Sequence, residues 1–137
     1  MRGDDALGLE VLKLLRDKVP ESVRLIECGI MPENFTGVVE RFEPSHVLLV
    51  DAASFNAKPG VVRLVLPEEI GGVAVSTHAL PLSVFAEVVQ KTVKAKVLLL
   101  GMQPRKVEFV KGLTPEVAVE TKKVAKVLAR LLGEICG

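Results

Sequence analysis

Two uninterrupted apolar runs constrain this chain more than anything else in it. HVLLVDAA (46–53) and KVLLLGMQP (96–104) each carry four or more consecutive apolar residues. A strand with one wet face alternates apolar with polar residues. A strand that is apolar at every position is buried on both faces, as in a parallel sheet covered by helices on either side. Helical periodicity fills the intervening segments. In 6–18, Leu7, Val11, Leu14 and Leu15 share a face while Glu10, Lys13 and Asp17 point away, and Pro20 ends the pattern. Residues 31–44 read as a short helix closed by Pro44, and 82–93 as a helix just after Pro81. Residues 114–135 form the clearest element, with Thr114 as N-cap, Pro115 at the first helical position and Glu116 in the first turn. Its expected core stripe is Val117, Val124, Leu128, Leu131 and Ile135, and its solvated face is Lys122, Lys123, Lys126 and Arg130.

VRLIECG (23–29) reads as a further strand, and 106–112 as a short edge piece. KPGVVRLVLP (58–67) is joined to 46–53 by a Pro-Gly turn too short for a helical crossover, so these two strands are predicted to pair antiparallel. Residues 67–82 are predicted to be a loop. The expected fold class is α/β: a doubly wound, mostly parallel twisted sheet with helices on both faces and one antiparallel strand, in a single domain over 1–137.

Composition narrows the function. The net charge is +1 and no basic block alternates with aromatics, which argues against nucleic acid as a partner. The apolar runs fall short of the roughly 18–20 residues of a membrane span, and no leader precedes the first motif, so the expected location is the cytoplasm with no membrane partner. The two cysteines, Cys28 and Cys136, suit neither a disulfide framework nor a zinc ribbon. There is no H-E-x-x-H, no G-x-S-x-G and no Walker loop.

Chemistry-bearing residues gather at one topological address. Asp4 and Asp5 open the first helix, Asp51 ends a buried strand, and His78 lies in the loop entering another helix. In an α/β sheet all of these belong to the rim formed by strand ends and helix starts. Carboxylates plus an imidazole suit a divalent transition metal such as zinc, nickel or manganese. Each residue also has a plainer role. Asp4 suits a helix N-cap, Asp51 a local strand-end hydrogen bond, and His46 a surface or capping position. Cys28 with His78 could form a nucleophile–base pair, though no third, orienting residue can be named.

The motifs RGDDALGLEV, PEN, LLVDAA, STHALPL and GMQP, in that order over nearly the whole chain, resemble the [NiFe]-hydrogenase maturation endopeptidases, in particular the hydrogenase-3 (formate hydrogenlyase) type. The resemblance implies an enzyme that trims a carboxyl-terminal tail from a hydrogenase large-subunit precursor after nickel insertion. It maps the nickel-contacting, catalytic set onto Asp5, Asp51 and His78 and leaves Asp4 as a cap. It implies that the nickel belongs mainly to the substrate, so that in isolation the site is empty or holds another divalent metal. It implies a protein that is monomeric alone.

Two departures stand out. The family's glycine-rich turn is Glu27-Cys28-Gly29 here, with only Gly29 retained, and the family's apolar first strand has no counterpart before Gly3, so the expected fold lacks that strand. Two other readings stay open: a non-catalytic flavodoxin-like binding module, and a cysteine hydrolase using Cys28 and His78. An acidic rim without a glycine-rich phosphate loop disfavours the former for phosphate ligands.

Overall fold

The computed structural model describes residues 6–27, 35–75, 79–105 and 113–136. The helices are α1 (Leu7–Leu15), α2 (Thr36–Phe42), α3 (Ala79–Thr92) and α4 (Pro115–Cys136). The strands are β1 (His46–Ser54), β2 (Val62–Val65), β3 (Ala74–Val75) and β4 (Lys96–Met102), with a 3-10 turn at Pro67–Gly72. The two apolar runs become β1 and β4, and they are parallel neighbours in register from His46↔Lys96 to Ala52↔Met102. The connection between them includes α3, long enough for the crossover that parallel pairing requires.

Helices cover both sheet faces. On one side Val39 of α2 and Leu82, Phe85, Ala86 and Val89 of α3 pack with Val65, Val97 and Leu99. On the other, Leu7, Val11 and Leu15 of α1 and Val117 and Leu128 of α4 pack with Ala52, Met102 and Val50. α1 sits so close to β1 that a Cβ on Gly8 would stand 2.7 Å from the Val50 carbonyl oxygen. Only a residue without a side chain permits that approach.

The sheet order is β2-β4-β1-β3, and it is mixed among the described residues, not mostly parallel: β1/β4 is parallel, while β2/β4 and β1/β3 are antiparallel. The predicted antiparallel pairing of 58–67 with 46–53 is corrected. β2 runs opposite to β1 but bonds to β4, because the turn at 58–61 carries the chain past the end of β4. There Gly60 N donates to Gln103 O (2.8 Å) and Gln103 N to Val61 O (2.8 Å). The predicted loop at 67–82 contains the 3-10 turn, β3 and the start of α3. Pro81 falls in the first turn of α3, where a missing N–H breaks no intrahelical bond.

Residues 23–27, predicted as strand, carry no ladder. Their side chains nonetheless alternate as a strand's would: Leu25 packs on the α1/α4 side and Ile26 on the α2/α3 side. The period-2 signal is thus present in packing but absent in hydrogen bonding. On the side of β1 away from β4, only Ala53 and Ser54 are laddered, to β3. Residues 46–52 have no partner on that side among the described residues, and Leu48 is 40% exposed.

The α4 core stripe also differs from expectation. Val117 and Leu128 are buried and Val124 is partly so, but Leu131 and Ile135 face solvent, at 43% and 76% exposure. Thr121 and Ala125 take the buried positions instead. Thr121 is tolerated in the core because its hydroxyl donates to the Val117 carbonyl oxygen (2.7 Å).

Candidate functional site

β1 carries Asp51 in its carboxyl-terminal half. It was expected to end the strand. The ladder continues past it through Ala52 to β4 and through Ala53 and Ser54 to β3. Asp51 is only 8% exposed, and its Oδ1 accepts a hydrogen bond from the backbone N–H of Ala52 (2.8 Å). That bond fixes one carboxylate oxygen against its own strand.

Across the sheet Asp51 is opposite Gly101 of β4, and Gly101 is opposite Arg63 of β2. Directly opposed residues in a ladder project to the same face. Asp51 and Arg63 therefore share a face, separated by a residue with no side chain. Phe55 folds back into the space that Gly101 leaves. A Cβ there would lie 2.7 Å from Phe55 Cζ and 2.8 Å from Ala53 Cβ. The Arg63 guanidinium stands over the Phe55 ring, 5.2 Å from its centroid.

Gln103, the glutamine of GMQP, holds this rim. It is 5% exposed, and its Oε1 accepts from the N–H of Phe55 (2.6 Å) and of Ala57 (3.3 Å). Its Nε2 donates to the Pro104 carbonyl oxygen (3.3 Å) and the Ser54 hydroxyl oxygen (3.5 Å). Two backbone N–H groups can only be met by the amide oxygen, which sets the orientation of the side chain. Between the two clamped residues Asn56 is left-handed (φ 58°), a conformation that asparagine tolerates better than most.

Of the predicted trio, Asp51 lies within β1 opposite Gly101, while Asp5 and His78 lie outside the described residues, as do Asp4 and Cys28. The flanking chain is described. Ala6 and Leu7 begin α1, whose Gly8 touches Val50. Val75, the last described residue before 76–78, pairs with Ala53, and α3 resumes at Ala79. Among the described residues no three His, Cys, Asp or Glu side chains form a group that could hold a metal ion. His46 is excluded from this rim. It opens β1, five residues or about 16 Å of strand from Asp51, and its Nδ1 shares a 2.8 Å hydrogen bond with the Ser45 hydroxyl. Cys136 ends α4, with its carbonyl accepting from the Ser22 hydroxyl.

The sequence reading gave Gln103, Phe55 and Arg63 no role. A signal for them was present. Gly101 interrupts an otherwise apolar strand, and such a glycine marks the close approach of another group.

A sheet covered by helices on both faces, with a buried carboxylate near the carboxyl ends of its two parallel strands, defines an α/β protein of the rim-site class. Comparison with known proteins specifies it further. Residues 9–131 match the HycI hydrogenase maturation protease family model. The crystal structure of the [NiFe] hydrogenase maturation protease HycI from Thermococcus kodakarensis KOD1 superimposes with a TM-score of 0.85 at 32% identity, over 96% of this chain and 85% of that one. The hydrogenase 3 maturation protease of Escherichia coli K12 is 30% identical over 128 residues, 88% of this chain and 79% of that protein. The coenzyme F420 hydrogenase subunit delta of Methanothermobacter thermautotrophicus is 28% identical over 141 residues. The chain belongs to the hydrogenase maturation protease family. It is a maturation protease with a mixed α/β fold. Among the described residues no helix is long and apolar enough to cross a membrane.

Proposed function

We propose that this protease removes a carboxyl-terminal tail from the large-subunit precursor of a [NiFe]-hydrogenase once nickel has been inserted, and that Asp5, Asp51 and His78 read that nickel. The observation that carries the reading is the placement of Asp51. It is a buried acid at the sheet rim, with the residues flanking both other candidates brought to the same end of β1. Two carboxylates and an imidazole are a donor set suited to a divalent transition metal. With so few protein ligands the nickel belongs to the substrate, bound already in the precursor. Contact with it would couple recognition to cleavage, since an unloaded precursor offers the rim nothing to hold. Nickel can polarise a carbonyl or activate water. The chain's own part is to position the precursor beside Asp5 and Asp51, either of which can serve as a base.

The test is incubation with nickel-loaded and nickel-free precursor, reading the released tail by mass. Cleavage of only the loaded form is expected, and equal cleavage of both would remove nickel from the reading. Asp51→Asn and His78→Ala should each abolish tail release. Asparagine keeps an oxygen for the Ala52 N–H, and denaturant unfolding of the Asp51 variant should show a cooperative fold, so that lost cleavage reads as lost chemistry. Cys28→Ala should keep most of the activity. A folded but inactive Cys28 variant would favour the thiol as nucleophile.

A further inference from the structure

Arg63 is an exposed cation with no carboxylate partner among the described residues, and its guanidinium lies over the Phe55 ring. It shares a sheet face and a register level with Asp51, across Gly101. Neighbouring strands are about 4.8 Å apart, so the two Cα atoms are separated by about 9–10 Å. The ring that fills the gap over Gly101 is the one on which the guanidinium lies. A guanidinium stacked on an aromatic ring keeps its planar fork free at its edge, and that fork matches a carboxylate.

From this arrangement, and resting on the proteolytic reading above, we infer that Arg63 is a specificity residue that binds a carboxylate of the polypeptide substrate. At about 3.3 Å per residue of extended chain, that carboxylate lies about three residues from the residue seated at Asp51. It is either an acidic side chain of the substrate or its terminal carboxylate. Phe55 serves as the platform, and Gly101 is required because any side chain there would displace the ring.

The experiment is steady-state cleavage of the nickel-loaded precursor by the full chain and its Arg63 variants. Arg63→Gln should raise KM about fivefold, the scale of an exposed ion pair of about 1 kcal/mol, and leave kcat within twofold. Arg63→Lys should fall between, keeping the charge but losing the planar fork. The KM of the parent should rise with ionic strength, while that of Arg63→Gln should stay flat. A role confined to folding would move neither the KM-to-kcat split nor the salt slope.

Two altered precursors separate the sources. One has the acidic side chains near the cleavage point changed to amides, and the other carries a ligated synthetic tail with an amidated terminus. The precursor that raises KM for the parent but not for Arg63→Gln identifies the carboxylate. If the parent cleaves and Arg63→Gln matches it in KM at low salt, or if neither altered precursor changes KM, the inference is overturned. If the parent fails to cleave any precursor, the proteolytic reading falls and takes this inference with it.

Discussion

Gln103 has its amide fully committed. It is buried at the end of β4, and its single oxygen serves two N–H groups of the chain that leaves β1. A buried donor left without an acceptor costs about 1–3 kcal/mol. Gln103→Leu therefore removes the acceptor of the half-buried Phe55 N and Ala57 N and should lower stability by about 1–3 kcal/mol by denaturant unfolding. Gln103→Glu keeps an acceptor for both and should lose less. Loss of that acceptor loosens the Phe55 platform, so Gln103→Leu should also weaken Arg63's effect on KM. Little of this could be read from residue types. GMQP marks a place, but a glutamine in sequence does not reveal that its partners lie 46 and 48 positions away. Asp51 was legible because an acid directly after four apolar residues must be either costly or useful. Its hydrogen bond to Ala52 and its position inside the ladder needed coordinates.

Among the elements, α1 and β1 meet most closely at Gly8. Two effects compete there. Alanine is favoured over glycine in a helix, by at most about 1 kcal/mol at Gly8, the second residue of α1. Against that, the new methyl group would sit 2.7 Å from the Val50 carbonyl oxygen, and a backbone atom of a central strand does not yield cheaply. Overpacking of this kind costs about 1–3 kcal/mol or more, so the clash wins and Gly8→Ala should lower the melting temperature. A rise in melting temperature would show that α1 can move away from β1 freely. At this scale α1 and α3 were legible from their helical periods, and β1 and β4 from their uninterrupted apolar runs. The stripe of α4 was only partly so. Helical spacing places Leu131 and Ile135 near the face of Val124 and Leu128, but toward its end α4 packs through Ala129 and Leu132, and Leu131 and Ile135 are exposed. The strand pairing was misread for a related reason. A short turn dictates that β2 runs opposite to β1, yet it does not dictate which neighbour β2 bonds to.

Among the described residues one surface ion pair joins different parts of the molecule. Arg105, just past β4, donates from Nε to Glu116 in the first turn of α4 (3.4 Å) and makes a second, shorter contact through its terminal nitrogen. That hydrogen bonding holds the Glu116 carboxyl below the ordinary carboxylate value, and a hydrogen bond from Lys91 does the same for Glu87. A carboxyl whose pKa is lower folded than unfolded adds stability above its unfolded value and loses it as the pH falls through the folded one. Stability should therefore decline on the acid side of that range. Glu116→Gln should show a smaller difference in unfolding free energy between pH 7 and pH 3 than the parent, and added salt should shrink the difference further. An unchanged difference would mean that the pair contributes nothing in solution, as many exposed pairs do.

By itself the sequence determined that this is an α/β protein with two strands built on apolar runs and helices on both faces. Apolar run length and periodicity are local properties, readable a few residues at a time. Only the tertiary structure decided that the sheet is mixed, that 23–27 pack like a strand without bonding like one, and that Arg63, Phe55, Gly101 and Asp51 stand in one row. Those are pairings between residues far apart in the chain. Backbone hydrogen bonds, nearly alike for every residue type, leave no mark in the order of side chains.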